Sequence, residues 1–163
     1  MRKPSLAALV LVFVALLAAC AGGPPKRVYP PQASVQELRV QDDGTRRLSL
    51  RIRNFSTVPM RFSRLQASFT VGGQDATRFD FDPGVTVGPG SAELVEQVFT
   101  PGPGARDAVQ QALANRRSVA YLLSGRLASS DPGTDDDIEY PSRLDPIPGL
   151  EGVLRWPFEE PDQ

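Results

Sequence analysis

The chain has no histidine and one cysteine in 163 residues. Without histidine there is no Ser-His-Asp triad, no Cys-His dyad and none of the commonest zinc sites. One cysteine excludes an internal disulfide and any CxxC pair. Aromatic residues make up 7% of the chain, with a single tryptophan. Formal net charge is −1, and loss of residues 1–19, which carry Arg2 and Lys3, would leave −3. No basic tract stands out, which argues against nucleic acid as a partner. What the chain has in quantity is turn-forming residues, 16 Pro and 14 Gly scattered along its length. They predict many short elements. The length suits one domain with its own core plus a shorter appended segment.

That appended segment is at the amino terminus. MRKPS carries two positive charges, and LAALVLVFVALLAA (6–19) follows as an unbroken apolar run. A charged start, a short apolar stretch and small residues before a cut site form a secretory signal. The run is shorter than the ~18–20 residues that span a bilayer comfortably, so a permanent membrane helix is the weaker reading. The run ends at Leu17-Ala18-Ala19-Cys20 and so places the lone thiol at the end of the signal. This motif resembles the lipobox of bacterial lipoprotein signal peptides. The resemblance implies cleavage before Cys20, a diacylglycerol on its thiol and an acyl chain on the new amino group. It also implies, from Ala21 in place of Asp, delivery to the outer membrane of a Gram-negative bacterium, facing the periplasm. Two or more acyl chains hold a protein stably where one does not. Residues 20–33 then read as the lipidated cysteine and a Gly/Pro-rich tether, whose extended form reaches roughly 40 Å at ~3.1 Å per residue.

From Ser34 the pattern has mainly period two. SVQELRVQ (34–41) is a strand and DDGT a tight turn. RRLSLRIRN (46–54) sets Leu48, Leu50 and Ile52 on one face and Arg47, Ser49, Arg51 and Arg53 on the other, so one face is buried and one wet. In MRFSRLQASFTV (60–71), Met60 and Phe62 have the opposite parity to Leu65, Ala67, Phe69 and Val71. Burying both sets requires a bulge near Ser63–Arg64. Strands follow at 76–82, with Phe79 and Phe81 inward, and at 91–100. After PGPG the period becomes helical over 105–117. Ala105, Ala108, Val109, Ala112, Leu113 and Arg116 share a face, and Arg116 and Arg117 complement the dipole of the last turn. SVAYLLSGRLASS (118–130) returns to strand, DPGTDDD is an acidic loop, and IEYPSRL (138–144) is a strand that Pro141 marks as an edge. The tail is a short strand or cover anchored by Trp156 and Phe158. The order predicts a mainly β fold over 34–158: an antiparallel sandwich of about seven strands with one α-helix.

SVQELRV, LSLRIRN ending at Asn54, MRFSRLQASFTVGG, YLLSGRL and YPSRLDPIPG together resemble the LEA type 2 family, whose domain is also called the water-stress and hypersensitive response (WHy) domain. The family's Asn-Pro-Asn-like loop is Asn54-Phe55-Ser56 here, with only its first Asn retained. The resemblance implies a fibronectin-III or immunoglobulin-like sandwich with no established catalytic activity. In some members it implies protection of proteins under desiccation or other stress.

Chemistry-bearing residues are sparse. Asp80 and Asp82 share a strand face, as acid/base or calcium-binding carboxylates would; the plainer reading is a solvated face. Asp131, Asp135, Asp136, Asp137 and Glu139 could wrap calcium, but they lack the EF-hand spacing, so a solvated loop is favoured. Asn54 is expected to bond loop backbone with its amide. Arg46, Arg47, Arg51, Arg53, Arg61 and Arg64 place many cations on adjoining strands, where they either meet acidic neighbours or face anionic lipid. Gly125 suggests a bulge, and Tyr121 a core position. No nucleophile–base pair or metal cluster can be assembled, so the expectation is a non-enzyme with no catalytic residues, no metal, no cofactor and no small-molecule substrate. The expected partners are the membrane, through Cys20, and other envelope proteins. The two readings of function are protection or binding of envelope proteins under stress, and an accessory subunit of an envelope complex recruited by strand addition at a sheet edge.

Overall fold

The computed structural model describes residues 25–157. Among these residues, nine strands and one helix follow in the order β1 (Gln32–Val40), β2 (Arg46–Arg53), β3 (Met60–Val71), β4 (Gln74–Phe81), β5 (Val85–Val87), β6 (Ala92–Phe99), α1 (Pro103–Ala114), β7 (Val119–Asp131), β8 (Gly133–Pro146) and β9 (Val153–Arg155). Every pairing is antiparallel. The strands run β4-β3-β7-β8-β9-β1-β2-β6 in one continuous sheet, with β5 also on β3. The expected antiparallel sandwich of about seven strands is met in its mainly β, antiparallel character, while the nine described strands form one nearly barrel-shaped sheet. The cause is β8. It pairs with β7 as far as Leu144, and its last residues, Asp145 and Pro146, then pair with β9, which continues onto β1. Fourteen residues are long enough for one strand to belong to both halves.

Period-two patterning fills the interior. Leu48, Leu50 and Ile52 are fully buried, as are Met60, Phe62, Leu65 and Phe69. The two parities of β3 are reconciled at Ser63, where its pairing with β7 shifts between Phe62 and Arg64, at the expected bulge. Gly125 is different: its register with Ala67 and Ile138 is regular. A Cβ there would stand 2.0 Å from the Gln66 carbonyl oxygen and 2.6 Å from the Ala67 Cα. The glycine therefore allows a close backbone approach and is not a bulge.

The helix stops at Ala114, three residues short of the expected end, so Arg116 and Arg117 lie beyond the last turn. The Arg117 N–H donates to the Ala112 oxygen (2.9 Å) and the Arg116 N–H to the Leu113 oxygen (3.3 Å). This is a Schellman cap whose left-handed position, φ 51°, holds Arg116 where glycine is usual. Ala105, Val109 and Ala112 are buried, and the small face lets α1 lie close on the β3–β4 hairpin. A Cβ on Gly72 would come within 2.6 Å of the Ala108 Cβ.

Tyr121 ties the two halves together. Its hydroxyl accepts the Val35 N–H (3.2 Å) and faces the Val35 oxygen (3.5 Å), beside the β1 bulge between Val35 and Glu37. Burial pushes its pKa up to about 12.

Candidate functional site

One end of the barrel is built around Asn54. This residue is 0% exposed. Its amide nitrogen donates toward the Val58, Val87 and Gly88 carbonyls at 2.8, 3.0 and 3.2 Å. Its Oδ1 accepts the Ser56 N–H at 2.8 Å, and its own N–H donates to the Ser91 oxygen. An amide at the end of a strand thus fixes both the 54–58 loop and the 88–91 turn, the structural role expected of it.

The amino-terminal segment lies on that loop. The Arg27 N–H donates to Thr57 Oγ1 (2.8 Å), the Thr57 N–H to the Arg27 oxygen (2.9 Å), and the Tyr29 N–H to Ser56 Oγ (2.9 Å). Thr57 Oγ1 also donates toward the Pro25 oxygen at 3.1 Å. Strand β1 begins at Gln32, and Ala33 is already buried. From Pro25 onward, then, the chain expected to be a tether is hydrogen-bonded to the domain. The surface at this end is amphipathic. Val28, Tyr29 and Phe55 are 46%, 42% and 43% exposed, and the Arg53 guanidinium lies 4.8 Å from the Phe55 ring centroid.

A second exposed feature is β6, which closes the series of strands with no partner beyond β2 among the described residues. Its Leu94 and Val98 are each 57% exposed, opposite Arg51 and Arg47 of β2. At the far end of the barrel, an open groove of about 800 Å³ is lined by Leu113, Ala114, Arg116 and residues 146–152. Arg116 and Glu151 are its charged lining residues.

The other chemistry-bearing residues are dispersed. Asp80 is exposed and holds Arg64 through Oδ1 and Oδ2, both at 3.0 Å. Hydrogen bonds from Arg64 and Gln66 keep its carboxyl below the usual range. Asp82 Oδ1 accepts the Gly84 N–H, so the two carboxylates serve separate ends. The acidic stretch is not a loop but the first half of β8. Strand alternation turns Asp135, Asp137 and Glu139 to one side and Asp136 to the other, and Arg126 pairs with Asp135 and Asp137. No group of three His, Cys, Asp or Glu converges among the described residues. Of the arginines, Arg47 pairs with Glu96 and Arg64 with Asp80. Arg46 is not on the wet face at all: it is 1% exposed, with Nη1 on the Gly44 and Thr45 carbonyls. Arg51, Arg53 and Arg61 form no ion pair among the described residues. Trp156 is half-buried, its Nε1 donating to Ser142 Oγ at 3.2 Å. Cys20 and Phe158 lie outside the described residues. No helix among the described residues is long and apolar enough to cross a membrane.

Sequence reasoning missed the apolar pole. Val28 and Tyr29 sit in a Pro-rich stretch whose composition suggests a free spacer, and only hydrogen bonds across some thirty residues reveal its attachment.

No protein-family model matches the sequence, and no curated protein matches it. Among solved structures, the chain is similar to AT1g01470 from Arabidopsis thaliana, with TM-score 0.53 and 13% identity over 86% of this chain and 91% of that one. It is also similar, with TM-score 0.47 and 13% identity over 90% of this chain and 82% of the other, to the late embryogenesis abundant (LEA) protein At2g46140.1. A protein from Archaeoglobus fulgidus follows, with TM-score 0.41 and 15% identity over 74% of this chain and 98% of that one. At this identity the similarity to AT1g01470 establishes a shared mainly β fold and nothing of activity.

Proposed function

We propose that this chain is a lipid-anchored envelope protein whose LEA type 2-like β domain protects or binds other envelope proteins without catalysis. Cys20 is the anchor: its thiol carries a diacylglycerol after the peptide is cut behind Ala19, and the domain faces the periplasm from the outer membrane. The observation that carries the reading is Leu17-Ala18-Ala19-Cys20 at the end of a fourteen-residue apolar run. The domain's own chemistry agrees with a binding role. Asp80 and Asp135 are held by arginines and Asp82 by a backbone N–H, and no group of three metal-ligating side chains converges among the described residues.

Intact mass of the membrane-extracted protein beside Cys20→Ala tests the anchor. The expected mass is that of a chain cut before Cys20 plus acyl chains, lost in the variant; a free thiol overturns it. For the protective role, near-stoichiometric protein should suppress aggregation of unrelated clients during drying and rehydration. Performance no better than an inert protein of equal mass counts against it.

The bare edge of β6 favours a second reading, an accessory subunit that adds a partner's strand beside Leu94 and Val98. In that case one defined partner co-purifies from detergent extracts and is lost on Val95→Pro, which breaks the edge.

A further inference from the structure

We propose that the end of the barrel formed by the 54–58 loop and residues 25–29 is a membrane-docking pole that rests on an anionic phospholipid surface. The proposal rests on the reading of Cys20 as the anchor. Three of the six large apolar side chains exposed among the described residues, Val28, Tyr29 and Phe55, are gathered there. Exposed large apolar groups collected at one site mark an interaction surface, and a tyrosine beside a phenylalanine suits a headgroup boundary, apolar at one side and wet at the other.

The charge at this end is complementary to anionic lipid. Lys26, Arg27 and Arg53 are exposed around the three side chains, and Arg61 stands at the start of β3. The opposing acids at this end are Asp131, across from Arg61, Glu93, across from Ile52, and Asp82, in the connection into β5 beside the start of β3. Four cations against three carboxylates leave the pole slightly positive, whereas the whole chain is slightly acidic. Covalent geometry supplies the third argument. Five peptide links separate Cys20 from Pro25 and extend at most about 18 Å. Pro25 and Arg27 are tied to Thr57, so an acylated Cys20 holds this pole near the headgroups and keeps the opposite groove away. Tethering at that range raises the effective concentration of the membrane, so weak contacts suffice. The loop is also rigid: Asn54 from below and the 25–29 segment from the side fix its backbone before it meets lipid.

The test uses the acylated full protein, reconstituted into vesicles of phosphatidylethanolamine with phosphatidylglycerol, or of phosphatidylcholine alone. With Cys20 acylated, a new cysteine is the one free thiol. A fluorophore is placed at Pro89→Cys, in the turn beside the pole, or at Leu150→Cys, in the opposite groove, and is quenched by lipid spin-labelled at the headgroup. We expect several-fold stronger quenching at position 89 in anionic vesicles. The difference should shrink with salt and in phosphatidylcholine. It should be abolished by Tyr29→Ser with Phe55→Ser and Arg53→Gln, exposed changes whose retained circular dichroism shows that the fold is intact. Equal quenching at the two positions in a chain whose mass shows acyl chains overturns the pole and leaves the anchor standing. A mass without acyl chains overturns both.

Discussion

The two ends of the barrel are built on opposite principles. At the pole that carries residues 25–29, the buried polar groups Asn54 and Ser56 are fully partnered, and apolar side chains face outward. At the far end, polar groups are buried without full compensation. Arg46 is enclosed with its Nε unpartnered, the Gln41 Nε2 is likewise unpartnered, and Arg116 occupies a left-handed position. Burial, together with the like charge of Arg106, draws the Arg46 pKa below its ordinary value. One end holds its shape at every hydrogen bond and exposes surface that water does not favour. The other tolerates unpartnered buried polar atoms.

The comparison can be broken first at Asn54. Asn54→Ala leaves three carbonyls and the Ser56 N–H without partners, so denaturant unfolding should show a loss on the order of 3 kcal/mol. Amide exchange should rise first in residues 54–58 and 88–91. A loss under about 1 kcal/mol would mean that the loop holds itself.

Tyr121, between the ends, gives the next effect. Its folded pKa of about 12 lies above the usual 10.0. The stabilisation is therefore complete below pH 10, falls as the unfolded chain ionises, and is gone once pH passes the folded value. Two units correspond to about 2–3 kcal/mol. Tyr121→Phe should cost about 1–2 kcal/mol at neutral pH by orphaning the Val35 N–H, and should flatten the alkaline limb. An unchanged limb would place the alkaline loss elsewhere.

At the far end the expected sign reverses. Arg46→Met keeps the buried stem and removes the charge, and the Gly44 and Thr45 carbonyls lie in a turn that water can reach. The variant should be more stable by about 1 kcal/mol; a loss would show that the guanidinium organises the 41–45 turn. The smallest effect is Arg116→Gly, which relieves the left-handed cap and should add about 0.5 kcal/mol, read as a small rise in Tm.

Alternation in 46–54 and the phase break at Ser63 were legible because each strand buries one face, and side-chain parity reports that face directly. The helix was legible by its change of period, but its end was not. Leu113 and Arg116 continue the spacing, while the chain leaves the helix through backbone bonds that any residue can make. DPGTDDD reads as a loop because six of its seven residues are acidic or turn-forming and have low strand propensity. Twelve consecutive pairings with β7, Arg126 among them, override it.

The sequence by itself determined the mainly β class, the late helix α1, the buried faces of β2 and β3 and the placement of the lone thiol at the end of an apolar run. Each is a matter of periodicity or composition along a local stretch. Tertiary structure alone decided that β8 joins the two halves into one sheet, that Arg46 is buried, and that Val28, Tyr29 and Phe55 gather at one end. These follow from pairing between residues distant in sequence, where the balance of hydrogen bonding and burial is set by neighbours that no local pattern contains.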